Sequence, residues 1–68
     1  MPYEKLLELL EKFANVVPGG DSKALDYIFT AGEIDSLYSQ YLDAKASSNE
    51  ELMTEISEMI SYKAEKYL

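Results

Sequence analysis

The chain contains no cysteine, no histidine, no tryptophan and no arginine, and only two prolines and three glycines. Each absence closes off some chemistry. Without cysteine no disulfide can staple a small fold, and without cysteine or histidine there is no donor set for a structural zinc. Nucleophilic catalysis through a Ser-His or Cys-His pair has nothing to start from. Cations are scarce as well: thirteen acidic residues stand against six lysines, for a formal net charge of −7. Phosphate contact draws its affinity from lysine and arginine, so neither direct nucleic-acid binding nor binding to anionic membrane is expected. The expected partner is a protein with a basic surface. No apolar run approaches the roughly 18 residues of a membrane-spanning helix. The segment Met1-Pro2-Tyr3-Glu4-Lys5 lacks the positive region of a secretory signal, which makes the cytoplasm the expected location.

What is present is globular in composition: 47% of the 68 residues are apolar and 28% are charged. That length holds one domain, residues 1–68, and one modest core, with a stability of the order of 5 kcal/mol. Apolar residues recur at three- and four-residue steps along most of the chain, which places them on one side of a helix. Pro2 suits a first helical turn. Tyr3, Leu6, Leu7, Leu10, Phe13, Ala14 and Val17 then form a stripe, with Leu9 and Val16 beside it, and Pro18-Gly19-Gly20 stops the helix. Asp21 or Ser22 is expected to cap a short second helix to about Thr30, with Leu25, Ile28 and Phe29 inward.

Around Thr30-Ala31-Gly32-Glu33 two readings are open. Gly32 could end the second helix, or Thr30 and Glu33 could form a capping box that starts a third. Both predict a break. The third helix runs to about Ala46, with Ile34, Leu37, Tyr38, Tyr41 and Leu42 on one face and Ser36, Ser39, Gln40 and Asp43 on the other. Ala46-Ser47-Ser48 is the turn into a fourth helix over 48–68, opened by a capping box between Ser48 and Glu51. On it Leu52, Met53, Ile56, Met59, Ile60, Ala64 and Tyr67 share a face. The expected architecture is all-α, a small bundle of three long helices plus one short helix. Lys45 and Lys63 fall within apolar arcs, so their stems should lie along the core edge. Small helical domains without cross-links often self-associate, which leaves a homodimer open.

Two acidic rows are the features that bear on function. Glu4, Glu8 and Glu11, continued by Asn15, lie opposite the leucine face of the first helix. Glu51, Glu55, Glu58 and Glu65 lie opposite the apolar face of the last. Neighbouring carboxylates at these steps sit about 5–6 Å apart. Such rows either solvate an outer face, or imitate a phosphate backbone to a basic groove. Tyr62 falls among Glu55, Glu58 and Glu65, and tyrosine is enriched at interaction hot spots. Tyr27 is expected to be exposed in the same way, whereas Tyr3, Tyr38, Tyr41 and Tyr67 fit core-edge positions with wet hydroxyls. The expected function is a non-enzymatic protein–protein interaction module, a regulator, inhibitor or adaptor. Its partner-binding residues would be Glu51, Glu55, Glu58, Tyr62 and Glu65, joined by Glu4, Glu8 and Glu11. A nucleic-acid-mimicking inhibitor is the alternative. No catalytic, cofactor or metal residues are expected: pairs such as Glu8/Glu11, Glu33/Asp35 and Glu55/Glu58 stand on outer helix faces, where no cleft drives their pKa values apart.

Asp35-Ser36-Leu37 is similar to the tripeptide at which acyl and peptidyl carrier proteins carry phosphopantetheine. Those domains are also small, acidic and built of four helices, with the serine at the head of a helix. The resemblance implies that Ser36 is an attachment point and that the third helix is read by partner enzymes. It covers three residues. Tyr38, Ser39, Gln40 and Tyr41 follow where carrier domains have an acidic residue and aliphatic side chains, and one long helix closes the chain where they have two.

Overall fold

The computed structural model describes residues 2–68, and among these every regular element is helical. There are three helices: α1 (Tyr3–Ala14), α2 (Asp21–Ala46) and α3 (Glu50–Glu65). α1 and α3 both run antiparallel to α2, forming a bundle of 40 × 18 × 14 Å. α2, at 26 residues, spans that longest dimension by itself, since each helical residue rises about 1.5 Å.

α1 starts behind Pro2, whose extended backbone (φ −61°, ψ 148°) lets its carbonyl accept from Leu6 N–H at 3.1 Å. It ends at Ala14 and not at Val17. The Asn15 amide donates to the Glu11 carbonyl at 3.0 Å, ending the helix, and the valine before Pro18 is pushed away from helical dihedrals. Asn15 is therefore a cap and not a continuation of the acidic row. Only Leu6 and Phe13 of this helix are fully buried, with Tyr3, Leu9 and Leu10 packed against them. Leu7 and Val17, expected on the stripe, face outward.

The predicted break at Thr30–Glu33 is absent: the second and third expected helices are one. Gly32 has no left-handed φ, so it does not act as a helix stop. Neither Asp21 nor Ser22 caps the helix. The N-cap is Gly20, with extended backbone, and Asp21 instead places its charge in the first turn, where the helix dipole favours it. Lys45 stands in the last turn, and α1 and α3 repeat the arrangement with Glu4/Lys12 and Glu50, Glu51/Lys63.

The turn between α2 and α3 differs in detail from the expected capping box. Ser48 adopts a left-handed φ of 55°. Its N–H donates to Lys45 O at 3.1 Å and that of Asn49 to Ala44 O at 2.9 Å, the double closure of a Schellman motif. Asn49 then turns around to cap α3, accepting from Leu52 N–H at 3.2 Å. One asparagine thus closes one helix and opens the next.

The core is drawn from all three helices: Leu6 and Phe13; Ile34, Leu37, Tyr41 and Ala44; Ile56, Ile60 and Ala64. Each fully buried isoleucine contributes about 1.5–3 kcal/mol. Small residues are among the buried positions, Ala44 on α2 and Ser57 and Ala64 on α3, the serine hydroxyl satisfied by Thr54 O at 2.9 Å. α1 meets α2 through aromatic rings. At one end Tyr3 and Tyr38 stack on Tyr41 (6.0 and 6.4 Å), and their hydroxyls meet at 3.1 Å. At the other end Phe13, Tyr27 and Tyr67 form a triangle of 4.6–5.8 Å. Tyr27 is thus half-buried, not exposed, its hydroxyl donating to Phe13 O. Tyr41 is buried hydroxyl and all, with no partner for the oxygen among the described residues. Lys45 lies at the core edge as expected, its ammonium 4.0 Å above the Tyr3 ring.

Candidate functional surface

α3 carries the larger part of the candidate surface. Its buried side is narrower than expected, made by Ile56, Ser57, Ile60 and Ala64. Leu52 and Met59, placed on the apolar face from the sequence, are partly exposed at its margins, as is Leu42 on α2. Opposite the buried side, Glu51, Glu55, Glu58 and Glu65 are all exposed. Tyr62 stands among them with 82% of its surface accessible. It shares a shallow depression with Glu55, Glu58, Met59 and Lys63. On its other side a cleft toward α2 is lined by Asp26, Phe29, Thr30, Glu33 and Lys66.

On α1, Glu4, Glu8 and Glu11 are exposed as well. Each row lies opposite its own helix's buried residues. Since α1 and α3 pack onto a common core, the two rows diverge instead of forming one face.

Charge pairing leaves both rows to solvent. Among the described residues the ion pairs are Lys63–Glu33 (3.1 Å) and Lys66–Asp26 (2.8 Å), both between α3 and α2. The Lys66 ammonium and then the Tyr67 hydroxyl, bonded to Asp26, hold its carboxyl below the ordinary carboxylate range, and Asp26 in return raises Lys66. Of the row carboxylates, Glu65 is engaged locally, accepting from Ser61 Oγ at 3.1 Å. The Tyr3 hydroxyl, followed by burial, pushes Tyr38 above the usual tyrosine value.

Ser36 is exposed in the middle of α2, not at the head of a helix. No group of three or more carboxylates among the described residues is arranged to hold a metal ion. No helix among them is long and apolar enough to cross a membrane.

The chain matches no family model, no curated protein and no solved structure.

One surface went unrecognised in the sequence. Leu25, Ile28 and Phe29, expected to point inward, are 70%, 65% and 68% exposed on the outer side of α2. The signal was there. At about 100° per residue on one continuous helix, they project opposite to Ile34, Leu37 and Tyr41. The apolar stripe of α2 changes sides near Thr30, and two separate helices were the other way to reconcile the halves.

Proposed function

We propose that the chain is a non-enzymatic, acidic helical interaction module that binds a protein with a basic surface through the outer face of α3. Tyr62 is the anchor, Glu51, Glu55, Glu58 and Glu65 steer the approach, and Glu4, Glu8 and Glu11 extend the field from α1. The observation that carries this reading is the exposure of Tyr62 beside carboxylates that no lysine neutralises. A tyrosine ring is a large, stiff contact that loses little entropy on docking, and the surrounding charges raise the association rate more than the affinity.

The test compares wild-type, Tyr62→Ala and Glu55→Lys/Glu58→Lys chains as baits under one buffer, followed by binding kinetics with whatever basic protein wild type retains. Loss of Tyr62 should weaken that complex about 30-fold, the equivalent of roughly 2 kcal/mol at a hot spot. Charge reversal should lower the association rate and flatten its salt dependence. A partner held equally by all three baits would remove α3's outer face from consideration.

The exposed, unpaired glutamate rows support a second reading, a nucleic-acid mimic. It is separated by competition: duplex DNA should displace a mimic from its target, and affinity should fall steeply between low and physiological salt. The divergence of the rows favours the first reading, because a single basic groove would engage one row and not both.

A further inference from the structure

We infer that the outer face of the N-terminal half of α2 is a homodimer interface, in which Leu25, Ile28, Phe29 and Gly32 of one copy pack against the same residues of a second, antiparallel copy. These residues follow the i, i+3, i+4, i+7 pattern of a packing stripe, yet they are turned away from their own core. Because α2 is hydrogen-bonded without interruption through Gly32, the stripe cannot rotate inward on its own.

The exposed parts of the three large side chains amount to roughly 400 Å², within the size range of patches that mark interaction surfaces. That is about a tenth of the 4758 Å² surface of the chain. With a polar rim such as Ser22 and Ser36, each copy would bury about 600 Å², the small end of specific interfaces. The dimer is therefore reversible.

Shape and the charge beside the middle of the stripe admit a second copy as the occupant. Two chains of net charge −7 repel each other wherever glutamates are unpaired. Beside the stripe, however, the carboxylates Asp26 and Glu33 are already neutralised by Lys66 and Lys63, and Lys23 is exposed on the same half of α2. Asp21 and Asp35, exposed and outside the ion pairs found among the described residues, stand at the two ends of the stripe, so contact between two copies tightens with added salt whereas contact with a basic partner weakens. Shape agrees. An antiparallel crossing centred between Ile28 and Phe29 sets Gly32 of one copy against Leu25 of the other, large against small, as a two-fold interface requires. Apart from the adjacent residues and the backbone of α2 itself, no described atom of the chain lies within 4 Å of a Cβ placed on Gly32, so that position is open to the neighbour.

Sedimentation velocity between about 1 μM and about 1 mM tests the inference. The mass should rise from 7.7 kDa toward twice that value. Ile28→Gln/Phe29→Gln should shift the midpoint upward at least about 10-fold, with far-UV circular dichroism at low concentration unchanged. Glu58→Gln, on the α3 partner surface but outside the cleft that holds Phe29, should leave the mass curve where it is, so failure here is distinct from failure of the α3 partner surface. A chain monomeric throughout overturns the inference, including one whose stripe binds some other protein. So does a dimer that the double variant leaves intact or that Glu58→Gln dissolves. Loss of helicity in the double variant at low concentration would place these side chains inside the fold and overturn it equally.

Discussion

Replacing Gly32 by alanine separates the continuous α2 from the two-helix reading by the sign of one number. In the structure Gly32 is a helix-interior residue without a left-handed φ, and a Cβ built on it meets nothing within 4 Å. Nothing then opposes the intrinsic gain of alanine over glycine in a helix, about 0.8–1 kcal/mol, which comes from the smaller backbone entropy lost on folding. For a domain of this size that gain raises the melting temperature by about 4–8 °C. Had Gly32 been the left-handed residue closing a shorter helix, alanine would cost about 1 kcal/mol or more. The two accounts thus differ by about 2 kcal/mol, well beyond the error of a thermal or urea melt. The melt is followed at 222 nm and at low micromolar concentration, so that any effect on self-association stays out of the comparison. A lower melting temperature for Gly32→Ala would refute the uninterrupted helix.

Three further expectations concern stability and one concerns chemistry. Tyr41→Phe removes a buried hydroxyl with no partner among the described residues, and should stabilise the chain by about 1 kcal/mol in urea unfolding; a loss would reveal a partner for that oxygen. Ser48→Gly relieves a left-handed serine in the Schellman turn and should gain about 0.5 kcal/mol net, glycine's greater freedom in the unfolded chain offsetting part of the relief. Asp26 is lowered by its bonds to Lys66 and Tyr67, so its contribution is present above the unfolded carboxylate value of 3.8 and is lost as pH falls through the lower folded value. Lys66 and Tyr38 are raised, so their contributions are complete below 10.5 and 10.0 and are lost as pH rises through the higher folded values. The stability gap between wild type and Asp26→Asn, measured by melts from pH 2 to 7, should therefore close in acid; a gap that does not change with pH contradicts the pairing. After incubation with a phosphopantetheinyl transferase and coenzyme A, intact mass should be unchanged, because Ser36 lies mid-helix; a modified Ser36 would revive the carrier resemblance.

Much of this fold was legible because local rules and burial agree. The positions of α1 and α3, the outward glutamates and the exposed Tyr62 all follow from apolar residues recurring at helical steps. A turn was expected at Ala46–Ser48 and lies at Ser47–Asn49, with a different chemistry: a serine in left-handed conformation has no signature of its own, and Asn49 outcompeted Ser48 because only Asn49 stands one residue before the helix. Tyr27 and Tyr41 were misplaced because aromatic stacking across helices is a tertiary matter that one helix's periodicity does not carry. The largest departure, the continuity of α2, has a different cause. Periodicity reports which residues share a face, not what covers that face. A stripe that switches sides at Thr30 therefore fits a kinked pair of helices packed on one core, or a straight helix with two different partners.

The central claim is that α2 is straight through Gly32 and keeps Leu25, Ile28 and Phe29 outside the monomer core. Backbone and methyl NMR on a dilute sample tests it directly. Helical Cα shifts and sequential amide contacts should run unbroken from Asp21 to Ala46, with no contact between the Phe29 ring and Leu6 or Ile60. Coil-like shifts at Ala31–Glu33, together with Phe29 contacts to those core residues, would contradict it.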